Sequence, residues 1–205
     1  MIKNYRIYIL FFLILILVIL YGFKNRETVA NYFSLPDSKT AQETMEKDSY
    51  YQHFSKLDIT LRKCGKNTQE CQQHYLDSIL DFSEKEKKML EIINQDYLKL
   101  LDGKFSRIFN KLGPLHFMKV KNDIENGMPH TRGEYIVFSK SYFSHLLNLY
   151  QENPHFLLDK KNREVVRLIA HERFHIFQRI YPQIIENFYH LNWKLEKVPQ
   201  KLPPE

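Results

Sequence analysis

The chain has 205 residues, of which 43% are hydrophobic and 26% charged, a globular composition that excludes a wholly disordered, collagen-like or coiled-coil protein. Its net charge of +6 belongs partly to one end: without Lys3 and Arg6 the 30 Lys and Arg fall to 28, against 24 Asp and Glu. A surplus so small is a solvated surface and not a nucleic-acid footprint, so no nucleic-acid partner is expected.

The first element is an uncharged apolar run, Ile7 to Phe23, flanked by Lys3, Arg6, Lys24 and Arg26. As a helix it would be roughly 25 Å long, slightly short of the roughly 30 Å hydrocarbon layer unless Tyr5 and a snorkelling Arg6 extend it. Residues 1–23 are therefore expected to be a transmembrane signal-anchor. The competing reading is a signal peptide cleaved near Ala30, but Lys24, Arg26 and Glu27 stand where a cleavage region is normally uncharged. A very short N-terminal tail favours a cytoplasmic N-terminus and an extracytoplasmic C-terminal domain. The bilayer is thus the first expected partner.

Residues 24–40 are polar, with a turn at Pro36-Asp37-Ser38, and suit a linker. The apolar spacing from Ala41 to about Lys63 predicts a helix. Cys64 and Cys71 enclose a polar turn, and would form a disulfide in an oxidising compartment but remain thiols in a reducing one. A second helix is predicted over about 72–81. Ser83 reads as the N-cap of a third, with Glu84 and Glu86 in its first turn and Leu90, Ile93, Tyr97, Leu98 and Leu101 at helical period. Gly103 and Gly113-Pro114 bracket a short element. Leu115–Lys121 and Glu134–Ser139 read as two strands, either a β-hairpin or simple neighbours. Helix returns over 141–151 and again after Asn162. The expected fold class is α+β, mainly helical.

Residues 162–182 carry the chemistry. His171-Glu172-Arg173-Phe174-His175 is an HExxH pentapeptide within a helix that Asn162 would cap and Pro182 would stop. At about 100° per residue the two histidines differ by about 40° and one turn, so both rings project towards one point, as a tetrahedral Zn²⁺ requires. Glu172 lies beside that face, where a carboxylate can take a proton from water as it attacks a carbonyl. The competing reading is a polar helix face, in which the histidines bond to carboxylates or backbone and Glu172 pairs with Arg167 or Arg179. Arg173 falls in the aliphatic sector and must snorkel or meet a buried acid. Among the other histidines, His130 could lie near a cleft, although a turn or surface position is the simpler expectation.

This pentapeptide on a capped helix behind a short β element resembles the zincin class of zinc metallopeptidases. The strings LDITLR at 57–62, HTRGEYIVFSKSY at 130–142 and LIAHERFHIFQRIYP at 168–182 also resemble an uncharacterised group of bacterial membrane-anchored HExxH proteins, from Leu57 to the C-terminus. The resemblance implies a zincin-like domain over 41–205 with a β-hairpin next to the HExxH helix. It also implies Zn²⁺ as cofactor, a peptide or protein substrate, and strand addition of that substrate along Glu134–Ser139, unless that segment is an ordinary packed hairpin. The extended metzincin motif is excluded, since Arg179 and Tyr181 stand where it needs Gly and His. A third ligand is expected from Glu186, His190 or Glu196, Glu by the chemistry of the class and His190 by the levelling of antiparallel helices. The chain ends soon afterwards, so the domain is expected to be C-terminally shortened, which leaves a non-catalytic relative as the alternative to a peptidase.

Overall fold

A computed structural model of the chain describes residues 35–101, 112–113 and 115–195. The expected membrane segment, most of the linker, Gly103, Pro114 and Glu196 lie outside the described residues. Among the described residues no helix is long and apolar enough to cross a membrane.

The chain runs through α1 (Ser38–Glu46), α2 (Lys56–Arg62), α3 (Thr68–Leu76), β1 (Ile79–Leu80), α4 (Glu84–Leu100), β2 (His116–Val120), β3 (His130–Arg132), β4 (Tyr135–Ser139), α5 (Lys140–Glu152), α6 (Arg163–Ile180) and α7 (Pro182–Trp193). It is mainly helical with one small mixed sheet, an α+β architecture. The helix predicted over 41–63 is in fact two, α1 and α2 with a 3₁₀ turn between them. Ser55 starts the second as a capping box, its Oγ accepting from Asp58 N while the Asp58 carboxylate accepts from Ser55 N. The helix predicted over 72–81 begins earlier, at the Asn67 cap, and ends before β1.

Sheet order is β1-β2-β4-β3, with β2 parallel to β4 and the other pairs antiparallel. The two predicted strands are thus parallel neighbours. The hairpin is β3–β4, turned at Gly133, whose φ of 51° suits a residue without Cβ. Side chains alternate across the sheet. Phe117, Ile136 and Phe138 join α4, α5 and α6 in one core, while Met118, Val120 and Val137 join α1 and α3 in a second. Both faces are therefore covered by helices, which explains why β2 and β4 read as apolar runs with little polar alternation.

One charge enters the sheet. Lys119, in β2, donates to Glu86 Oε2 at 2.8 Å, and both residues are buried. Glu86 also closes the capping box that Ser83 opens, its carboxylate accepting from Ser83 N at 2.7 Å. Burial pushes the Glu86 carboxyl up, but the hydrogen bonds from Lys119 and Ser83 outweigh it and hold it below the usual carboxylate range.

Cys64 and Cys71 form a disulfide, with Cα atoms 4.5 Å apart and both residues in the second core. Closing so short a loop removes little denatured-state entropy, worth about 2–3 kcal/mol. Thermal unfolding with and without reductant should show a loss of that size, and Cys64→Ser/Cys71→Ser should reproduce it without reductant.

Candidate metal centre

Helix α6 is placed by its apolar side, where Val165, Ile169, Ile176 and Phe177 are buried. Packing these residues turns His171 outward and leaves His175 half-buried. Asn162 stands at the N-cap position without a side-chain cap bond, and Pro182 opens the next helix at its first position.

The two imidazoles converge. His171 Nε2 and His175 Nε2 are 3.0 Å apart, with the ring planes nearly perpendicular. Two nitrogens bound to one tetrahedral zinc ion would be about 3.3 Å apart, so the pair fits a shared cation with little adjustment. His175 Nδ1 lies 2.9 Å from Gln178 Oε1, and Gln178 Nε2 donates to Tyr189 Oη of α7 at 3.2 Å. With Nδ1 donating to the amide oxygen, His175 Nε2 keeps its lone pair for a metal. Gln178→Leu removes that restraint and should weaken zinc affinity about 10–100-fold, measured by competition with a chelating dye.

Glu172 points inward and is 5% exposed. Burial holds its carboxyl above the usual carboxylate range, against the pull of His171, His175 and Arg179. The competing pairings are otherwise engaged: Arg167 binds Glu164, and Arg179 donates to the Gly133 carbonyl at 2.9 Å. Arg173 is buried and donates to the Gly113 carbonyl, so it does not snorkel. Its burial lowers its pKa.

Glu186 and His190 both lie on α7 at exposed positions. Among the described residues no three His, Cys, Asp or Glu side chains gather in a group that could hold a metal. The structure thus brings together His171 and His175, leaves Glu172 buried next to His171 along the helix, and gathers neither Glu186 nor His190 into a group with them. His130 is distant in role: its Nε2 lies 3.2 Å from Tyr75 Oη and its Nδ1 2.9 Å from the Met128 carbonyl, and burial lowers its pKa.

The strand expected to receive substrate cannot do so. β4 is interior, paired on both sides. β3 is the edge on that side, but Thr131 and Arg132 are 8% and 6% exposed, and the Arg132 guanidinium lies 3.3 Å from the Tyr50 ring centroid. An open cleft of about 570 Å³ instead borders His171, lined by Tyr142, His145, Val165 and Leu168 among others. Burial pushes the Tyr142 hydroxyl up to about 12. Tyr142, His145 and Tyr189 are invisible to motif reading, because tertiary packing alone brings them near the pentapeptide, whereas Gln178 follows His175 by three residues on the same helix.

No protein-family model, curated protein or solved structure matches the chain.

Proposed function

We propose that the protein is a membrane-anchored zinc-dependent peptidase, in which His171 and His175 hold the metal and Glu172 is the general base. The observation that carries this reading is the 3.0 Å convergence of two Nε2 atoms beside a buried carboxylate. Bound zinc would supply Lewis acidity, activating water and polarising the carbonyl under attack. Glu172 accepts the proton as general base. Gln178 fixes the His175 ring, and substrate enters along the cleft beside His171. Glu186 and His190 are the candidates for a further metal donor. The apolar run at 7–23 and the Cys64–Cys71 disulfide support a single span with the domain on the oxidising, extracytoplasmic side.

The second reading is a non-catalytic anchored binding protein on the same scaffold. It is favoured by the two-donor set, since catalytic zinc sites ordinarily have three protein ligands. Elemental analysis of the purified full chain separates the two. One zinc per chain, lost in His171→Ala and in His175→Ala, together with metal-dependent cleavage of a peptide mixture, is expected of the peptidase; no bound metal at saturating zinc overturns it.

A further inference from the structure

Helix α7 packs against α6 and, beside that contact, leaves apolar side chains exposed. None of its residues is buried, and Ile184, Phe188, Leu191 and Trp193 are 53%, 48%, 69% and 61% exposed. At about 100° per residue, Leu191, Ile184 and Phe188 lie within about 60° of one another. The half-buried Ile185 and Tyr189 face α6, and Trp193, at the helix end, starts about 140° from Phe188 on the far flank of that contact. Tyr189 stacks on Trp193 at 5.2 Å and Phe188 meets it edge-on at 5.6 Å, so the rings form one cluster. Asn192 turns its amide back onto the Phe188 carbonyl. Gln183, Glu186, Asn187 and His190 take the other side.

The sequence indicates what covers this surface. Residues 24–34 join the uncharged run Ile7–Phe23 to Leu35, and eleven residues reach at most about 40 Å. A domain of this size is roughly 35–40 Å across, so a bilayer holding the run stays within reach of α7. A short helix with Leu191, Ile184 and Phe188 along one side, the Trp193 ring reaching Phe188 at its end, and polar residues opposite matches a segment lying at a lipid headgroup boundary, with Trp at interfacial depth.

We propose that α7 rests in the headgroup–acyl boundary of the same bilayer that holds residues 7–23, as a second membrane contact. This rests on the anchoring part of the proposed function and not on its zinc chemistry. Glu186 and His190 would then lie on the side of α7 turned from the lipid.

Trp193 is the only tryptophan in the chain, so its emission reports on α7 alone. The full chain is reconstituted in phosphatidylcholine vesicles with and without brominated acyl chains. Flotation is expected to carry the chain with the vesicles, and brominated lipid to cut Trp193 emission about twofold, as for a ring at interfacial depth. Ile184→Glu/Leu191→Glu should still float, melt as the parent does, and lose the quenching. Emission quenched by aqueous acrylamide and not by brominated lipid overturns the proposal, since α7 is then in water. Emission shielded from both also overturns it, in favour of a protein partner such as a second copy. A chain that fails to float overturns the anchor together with the proposal, whereas zinc content is unaffected by any of these outcomes.

Discussion

Glu172→Gln is expected to leave zinc stoichiometry unchanged while reducing peptide hydrolysis about 10²–10⁴-fold, the range over which a positioned general base contributes. The separation follows from geometry. In the proposed site the metal-facing atoms are His171 Nε2 and His175 Nε2, while Glu172, next along the helix, is buried. Removing its charge therefore takes away a proton acceptor and no ligand. The variant should also be somewhat more stable than the parent at neutral pH, because an amide does not have to be desolvated as an anion. Zinc content, steady-state kinetics and thermal melting on the same preparations check all three. If zinc were lost with the carboxylate, Glu172 would be a ligand and the assignment of roles would be wrong.

Lys119→Met should cost about 3–5 kcal/mol, the penalty for leaving one partner of a buried ion pair uncompensated. Glu86 would keep its cap to Ser83 but lose the ammonium 2.8 Å away. Adding Glu86→Gln should recover most of the loss, since glutamine preserves the reciprocal cap and removes the stranded charge. The sign of the pH dependence follows from the lowered pKa of Glu86. A carboxyl held below its unfolded value contributes stability above the ordinary carboxylate pKa, and that contribution disappears as pH falls through the folded value. The parent should therefore lose its advantage over the double variant as pH falls below about 4.5. Urea unfolding at pH 7 and pH 4 checks this, and a cost independent of pH would mean that the pair acts only through packing.

Local chemistry was legible in the sequence and long-range pairing was not. Ser83, Glu84 and Glu86 announce the start of α4 because a cap is settled within four residues. The α6 boundaries at Asn162 and Pro182 were readable from residue type, although Asn162 turns its amide to the Phe156 carbonyl and makes no side-chain cap bond. Ser55 and Asp58 carry an equally local signal, and it marks the break that the apolar spacing of 41–63 obscures. β2 and β4 stand out by composition, yet their parallel pairing depends on β3, three residues without a pattern, entering beside β4. At the site, helical spacing was enough to set two histidines together. It carried no information on Gln178 meeting Tyr189, or on Tyr142 and His145 sharing a cleft with His171, because those neighbours come from separate helices.

The short, covered flank of the sheet constrains any ligand. With β4 enclosed and Thr131 and Arg132 of β3 buried, a peptide substrate of the proposed site would find neither strand open to register its main chain among the described residues. On the proposed peptidase reading, selectivity would come from one or two side groups seated against Tyr142, Val165 and Leu168, and length beyond those groups should add little to turnover. Compact amides would compete on nearly equal terms with long peptides.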